Sequence, residues 1–367
     1  MLLNLTEYYR PATMAEALAL LACDPEHTLP LAGGTHLLGQ RNDAVRAVVD
    51  LSDLGLDGIA VSPAQEESAR DGQGDGADLS PRPLALPGRG ETQVIRLGAM
   101  VTLQTLATHP LLLEVADGIV AQAAHCSATR LIRNAATVGG TLAIGAAATA
   151  DLPAALLALD ARLTNLALRP VARSSHMQTP SPISPFPIVA REGSTGQSPL
   201  RQPGEVEIQE VTRAYADVVE RPARAGELII AVSFPWSVNA RAAFLRVSRT
   251  PTDFALVNVA TVVEFAAHPT ASAPPDGAGS EATRVRVAIG GEGMHPVRLT
   301  AIETALTGKI LTAERIATTV ETVFMGDLPP ALAAASDFLA SNAYRRAAGK
   351  ALVRRALEQC LGKEAEA

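Results

Sequence analysis

The sequence predicts an α+β fold of about two domains. Three observations point that way. The first fifty residues alternate strand-like and helix-like runs around a Gly-Gly turn. The last third sets three strand-like runs before three helical ones, the order of a sheet backed by helices. Between them, two low-complexity stretches, Ser62–Thr92 and Pro170–Pro203, have few residues able to join a core and read as surface insertions. The 367 residues are 47% hydrophobic but only 3% aromatic, so Ala, Leu and Val must fill the core.

The elements follow in order. Tyr8 to Ala22 reads as an extended piece and then a helix. Thr13 supplies an N-cap oxygen, Glu16 stands three positions later as in a capping box, and Leu18 and Leu21 mark the apolar face. Thr28–Leu31 is a strand running straight into Gly33-Gly34, and Ala47–Leu51 is a second buried strand. Val94–Leu97 resumes as a strand after the first insertion. A short helix, Thr102–Thr108, is capped by Thr102, and a longer helix spans Leu111–Ala124. Asp151 caps a helix through Leu159, with Pro153 tolerated in its first turn. Strands follow at Arg162–Leu168 and Glu227–Phe234. The runs AAFLRVSR, FALVNVATVVEF and RVRVAIGG are the three strands of the last region. Its helices are Thr300–Leu306, Thr312–Val323 and Ser341–Leu361, the last with Arg345, Arg346, Arg354 and Arg355 on a polar face.

Composition excludes several function classes. Net charge is −7 with no basic tract, which argues against nucleic acid as a partner. The three cysteines, Cys23, Cys126 and Cys360, are far apart and form no Cys-x-x-Cys pair, so an iron–sulfur cluster or zinc held by this chain alone is not expected. Their odd count fits a reducing compartment. MLLNLTEYYRPAT lacks the features of a signal peptide, and no stretch is long and apolar enough to span a membrane, so a cytoplasmic protein is expected.

Two stretches carry the chemistry: LPLAGGTHLLG (Leu29–Gly39) and LIRNAATVGGTLA (Leu131–Ala143). In each, an apolar run breaks into Gly-Gly beside a hydroxyl residue. Glycine lets a ligand approach the main chain, and successive N–H groups make a nest for phosphate oxygens. One such turn is often an ordinary strand-to-helix connection. Two, with Thr35 and Thr137 or Thr141 beside them, suggest loops closing on one long anionic ligand. Neither matches the Rossmann fingerprint or a Walker A loop, and no Lys follows Gly33-Gly34. His36 would need an orienting partner to act as a base and reads as a polar side chain beside a turn. Asp151 fits a helix cap as well as a carboxylate for ribose hydroxyls. His125 and Cys126 are adjacent but lack a second ligand pair, so no metal site is expected. No nucleophile–base set is visible; if the chain serves an enzyme, a cofactor does the chemistry.

AGGTHLL at Ala32–Leu38 and RNAATVGGTLA at Arg133–Ala143 resemble the two flavin-binding motifs of the FAD-binding medium subunits of molybdenum hydroxylases, the carbon monoxide, xanthine and nicotine dehydrogenase type. YYRPATMAEALALLA, DLPAALLALDARL, GELIIAVSFP, FLRVSRTPTDFALVNVA, VRVAIGGEGMHPVRLTAIETALTGK and AYRRAAGKALVRRAL extend the likeness in the same order. The resemblance implies a two-subdomain FAD-binding fold of the vanillyl-alcohol-oxidase (PCMH) type plus a C-terminal α+β domain with a three-stranded antiparallel sheet. The subdomains would be residues 1–55 and 56–235, and the C-terminal domain residues 240–362. FAD would lie extended between the subdomains.

Carried over by position, Leu31, Ala32, Gly33, Gly34, Thr35, His36 and Leu37 would hold the pyrophosphate and ribityl region. Thr137, Val138, Gly139, Gly140 and Thr141 would form the second phosphate loop. Ser127 would lie near the flavin, Asp151 would contact the nucleotide, and Ile229 and Arg246 are weaker contacts. The chain departs from the family in having Thr141 where Asn is common, and one extra residue, with no Pro, between Gly140 and Asp151. The resemblance further implies partners: a molybdopterin-binding large subunit that hydroxylates substrate with water, and a small iron–sulfur subunit that passes electrons singly. This chain's FAD would collect them and deliver a pair to a final acceptor, within a dimer of heterotrimers. Two other readings of the residues remain at this point: an assembly or scaffold homologue that has lost FAD, and a stand-alone FAD oxidoreductase.

Overall fold

A computed structural model describes residues 4–40, 42–63, 92–145, 151–170, 206–223, 226–266, 281–326, 328–334 and 339–362. Most of both low-complexity stretches lies outside these residues.

The N-terminal unit is a parallel three-stranded sheet. Strands β1 (Glu7–Tyr9), β2 (Thr28–Leu31) and β3 (Ala47–Asp50) pair in the order β1-β3-β2. Helix α1 (Met14–Cys23) connects β1 to β2, which flank β3 and run in the same direction, so the chain must cross back between them. Thr13 caps α1 by accepting the Glu16 N–H at 3.2 Å, and the Glu16 carboxylate accepts the Ala12 N–H at 3.0 Å. Ala17, Leu18 and Leu21 face inward, as the 3.6-residue period requires.

The second sheet has five strands in the order β4-β5-β8-β6-β7, all pairs antiparallel: β4 (Ile59–Pro63), β5 (Thr92–Gly98), β6 (Arg162–Pro170), β7 (Val206–Ala214) and β8 (Glu227–Ser237). Between β5 and β6 the chain forms α2 (Leu103–Thr108), α3 (Pro110–Glu114), α4 (Ile119–Cys126), α5 (Arg130–Arg133), α6 (Val138–Ala143) and α7 (Asp151–Ala158), and the short α8 (Tyr215–Val218) follows β7. Every residue of α7 is buried.

The third sheet runs β12-β11-β10-β9, again antiparallel, and the two-residue β13 also pairs with β11. Its members are β9 (Ala240–Val247), β10 (Val257–Phe265), β11 (Glu281–Gly291), β12 (Met294–Arg298) and β13 (Lys309–Ile310). Helices α9 (Thr300–Leu306), α10 (Ala313–Met325), α11 (Pro330–Ala334) and α12 (Asn342–Cys360) complete this part. Among them Ile302, Ile316, Val320, Val353 and Leu357 share a core with Val257, Val259 and Val287 of the sheet. Thr312 and Ser341 cap α10 and α12, accepting the Arg315 and Tyr344 N–H groups.

Three expectations need correction. The last sheet has five strands, not three. The helix over Leu111–Ala124 breaks: Ala116, Asp117 and Gly118 all take left-handed φ, at 49°, 50° and 73°, between α3 and α4. The Asp117 carboxylate accepts the Ala242 N–H at 2.8 Å, and that bond to β9 accompanies the break. The arginines of α12 do not share a polar face. Arg345 is fully buried and donates to the Leu256 carbonyl. Asp151, expected as a cap, is the first helical residue of α7, and the position before it lies outside the described residues. Among the described residues no helix is long and apolar enough to cross a membrane.

Candidate functional site

The two glycine turns meet. A Cβ placed on Gly33 would lie 1.6 Å from the Ala135 carbonyl oxygen, so only glycine fits there. One placed on Gly140 would lie 3.7 Å from the Ala32 Cβ. These turns and the start of β8 enclose a cavity of about 490 Å³, within the roughly 300–1,000 Å³ of small-molecule sites. Its walls include Leu31, Ala32, Gly33, Gly34, Thr35, His36, Leu37, Thr137, Gly139, Gly140, Thr141 and Ile229. Twelve of the sixteen residues anticipated from sequence therefore surround one space.

The turns do different work. Beyond β2, Gly34 takes a left-handed φ of 67° and turns the chain. The backbone N–H groups of residues 33 to 37 have no hydrogen-bond partner among the described residues. Orphan main-chain donors beside a cavity need a ligand or water to satisfy them. In the second turn the four N–H groups that follow Thr137 are all taken. Val138 N–H bonds the Val101 carbonyl at 2.9 Å, and Gly139 N–H bonds that of Ala99 at 2.8 Å. Gly140 N–H bonds Thr137 Oγ1 at 3.1 Å, and Thr141 N–H bonds the Thr137 carbonyl at 2.8 Å. Thr137, anticipated as a phosphate ligand, is thus the cap of α6. A Cβ on Gly139 would meet that of Ala99 at 2.7 Å. The second turn contributes shape, and the first contributes donors.

Four anticipated residues do not line the cavity. Val138 is buried behind it. Ser127 donates its hydroxyl to the Ala123 carbonyl at 2.7 Å, at the end of α4. Asp151 and Arg246 face each other, with Arg246 Nη1 3.4 Å from Asp151 Oδ2. Asn258 donates to Asp151 Oδ1 at 2.7 Å, and Arg246 donates to the carbonyls of Cys126, at 2.6 Å, and Asp253. Burial pushes the Asp151 carboxyl above its usual range, against the pull of the Arg246 charge and the Asn258 bond.

Sequence reasoning missed other wall residues: Leu51, Met100, Glu227 and Leu228. Leu51 and Leu228 share one apolar cluster, against which Met100 packs. Glu227 is held by Arg213, with oxygen–nitrogen distances of 2.8 and 2.6 Å, and by Asn165 at 3.1 Å. The strand GELII was legible, but which of its side chains faces a ligand depends on its neighbours in the sheet. Of the described residues around the cavity, His36 and Glu227 alone are ionisable. Among the described residues no group of three or more His, Cys, Asp or Glu is placed to hold a metal. The arrangement suits a long ligand with an anionic middle and a flat apolar part: donors at the first turn, apolar walls at β8 and α6.

Comparison with known proteins bears on which ligand. The family model described as FAD binding domain in molybdopterin dehydrogenase matches residues 89–176. The one described as CO dehydrogenase flavoprotein C-terminal domain matches residues 242–360. A putative xanthine dehydrogenase FAD-binding subunit of Escherichia coli K12 is 32% identical over 164 residues, 44% of this chain and 46% of that protein. A xanthine dehydrogenase FAD-binding subunit of Escherichia coli O157:H7 is 31% identical over the same length. The chain thus spans about half the length of the curated relatives it matches. The fold is shared more widely. A chain of reconstituted CO dehydrogenase from Oligotropha carboxidovorans superposes with a TM-score of 0.67 at 20% identity, over 99% of this chain and 100% of that one. A chain of quinoline 2-oxidoreductase from Pseudomonas putida 86 gives 0.64 at 21%, over 99% of both. Two matched domains in this order agree with the paired glycine turns and their open donors: the chain carries an FAD-binding domain of the molybdopterin dehydrogenase type followed by a CO dehydrogenase flavoprotein C-terminal domain.

Proposed function

We propose that this chain binds one FAD in the cavity between its glycine turns and serves as the electron-transfer subunit of a molybdenum-containing dehydrogenase. One observation carries the proposal: five consecutive N–H groups, residues 33 to 37, have no partner among the described residues and belong to the lining of a cavity that Gly139 and Gly140 also line. A pyrophosphate satisfies such donors. Thr35 adds a hydroxyl, and His36 adds a side chain able to donate. Thr137, Gly139, Gly140 and Thr141 form the second wall. Ile229, with Leu51 and Leu228, offers the apolar surface that a flat ring requires. Ser127, Val138, Asp151 and Arg246 support the site from behind it. FAD, when bound, supplies the exchange between single electrons and electron pairs.

The remaining parts of the reading rest on the resemblance to these relatives. Residues 1–55 and 56–235 would be the two FAD-binding subdomains, and residues 240–362 the C-terminal domain. A large subunit with molybdopterin would carry out the hydroxylation, and a small subunit with iron–sulfur clusters would feed electrons to this chain. Two such heterotrimers would pair in the cytoplasm. The reading is tested by isolating the chain, tagged, from cells that express its native operon or gene neighbourhood. Two further chains with molybdenum and iron in the eluate are expected. A chain that elutes alone, without either metal, would contradict the partnership.

A further inference from the structure

Among the described residues three non-glycines take a left-handed φ: Ala116 at 49°, Asp117 at 50° and Asp160 at 52°. Most side chains resist that conformation, and residues held in it gather at clamps and switches. All three sit where the second part of the chain, β4 to β8, meets the third sheet. Ala116 shares an apolar cluster with Ala240 and Ala242 of β9. The Asp117 carboxylate accepts the Ala242 N–H at 2.8 Å and lies 3.4 Å from Arg241 Nη1. The Asp160 carboxylate, just past the end of α7, takes Arg284 and Arg286 of β11 and Arg298 of β12. In the register of the sheet Ala242 pairs with Val262, and Val262 with Arg286. The two aspartates therefore grip the sheet near one transverse row, from either side of β10.

The two faces of that sheet differ. Toward the second part it presents Ala240, Ala242, Ala260 and Ala288, with Phe244 and Val262. Toward its own helices it presents Val257, Val259, Val285, Val287 and Ile289. Alanine buries less apolar surface than valine or isoleucine, so the sheet holds its helices more firmly, residue for residue, than it holds the second part. Directional grip at the alanine face comes from Asp117 and Asp160. At the other end of α7, Arg246 and Asn258 meet Asp151.

We propose that the third part, β9 to α12, is docked on the second through two left-handed aspartates and swings off it as a folded unit when these bonds open together. The cavity keeps its walls in that motion, because none of its lining residues belongs to the third part. The device does not depend on what the cavity binds.

Trapping with N-ethylmaleimide, read by peptide mass spectrometry, tests this on the full chain and keeps the native Cys23, Cys126 and Cys360 apart. Ala260→Cys places a thiol on the docking face. Val259→Cys places one on the preceding residue, which faces the helices because strand residues alternate. Both positions are fully buried. Release as a unit predicts trapping about tenfold faster for Ala260→Cys than for Val259→Cys. Adding Asp117→Ala or Asp160→Asn should speed trapping at Ala260→Cys about tenfold each, although neither carboxylate bonds β10 among the described residues, and the two effects should multiply. Ala288→Cys and Val287→Cys on β11 repeat the comparison if a β10 variant fails to fold. Equal trapping on the two faces would mean that the third part opens only by unfolding, and overturns the proposal. So does a faster docking-face thiol whose rate neither aspartate variant changes.

Discussion

Gly33 sits so close to Ala135 that a methyl group at its α-carbon would overlap the Ala135 carbonyl oxygen, at 1.6 Å. The first glycine turn is seated directly on the chain that leads into the second. The cavity is a seam between two segments about a hundred residues apart, closed at its tightest point by one missing side chain.

Gly33→Ala should therefore fail in a way Gly140→Ala does not. The first forces the two segments apart and costs about 1–3 kcal/mol of stability, with flavin uptake lost. At Gly140 the nearest atom to a new Cβ is Thr137 Oγ1 at 3.0 Å, and the residue is helical. There the gain of about 0.5–1 kcal/mol in helix preference offsets the crowding, so stability holds while affinity for FAD falls modestly. Thermal melting and flavin titration of the two variants distinguish these outcomes.

Asp160 sets an acid limit on the joint between the second and third parts. Burial raises its pKa, but Arg286 and Arg298 outweigh that and hold its carboxyl below the ordinary range. The bonds are 3.0 Å to Arg286, 2.5 Å to Arg298 and 2.5 Å to Arg284. A depressed carboxylate contributes stability above its unfolded pKa and loses it as pH falls through the folded value. The wild-type melting temperature should drop as pH falls below about 4. Asp160→Asn should cost about 2 kcal/mol at pH 7 and flatten part of that drop. A variant that keeps the full acid slope would remove Asp160 from the account.

Tyr215 offers the opposite case. Its ring is fully buried in the main core, and its hydroxyl has no hydrogen-bond partner among the described residues. Burial pushes the phenol far above its usual pKa, so it is neutral throughout the working range. Tyr215→Phe removes an unmet polar group and keeps the ring. Chemical denaturation should show stability equal to wild type or about 1 kcal/mol higher. A loss above that size would mean that the hydroxyl is satisfied in solution.

Local signals were legible in the sequence, and long-range ones were not. Thr13 and Thr102 cap their helices as read, because a cap is settled within four residues. The Gly-Gly turns could be read as turns. That the second has its N–H groups bonded to Val101, Ala99 and Thr137 depends on the docking of α6 beside β5. Strands β4 and β7 went unread because they are the edges of their sheet and adjoin the low-complexity stretches. The described start of β7, around Glu207 and Gln209, is exposed and carries little apolar alternation. The Asp117-Gly118 pair did mark the break in Leu111–Ala124, but the apolar run masked it. Arg345 on a long helix looks solvated until the Leu256 carbonyl is placed beside it. Asp151 and Asn258 are 107 residues apart, and no local pattern pairs them.

The most direct measurement is the flavin content of the purified chain: its visible spectrum, then heat release and chromatography of whatever is bound, with added FAD for any empty fraction. One FAD per chain, lost in Gly33→Ala, is the result expected from donors at residues 33 to 37 facing a glycine wall. A colourless wild-type chain that also fails to take up added FAD would contradict it.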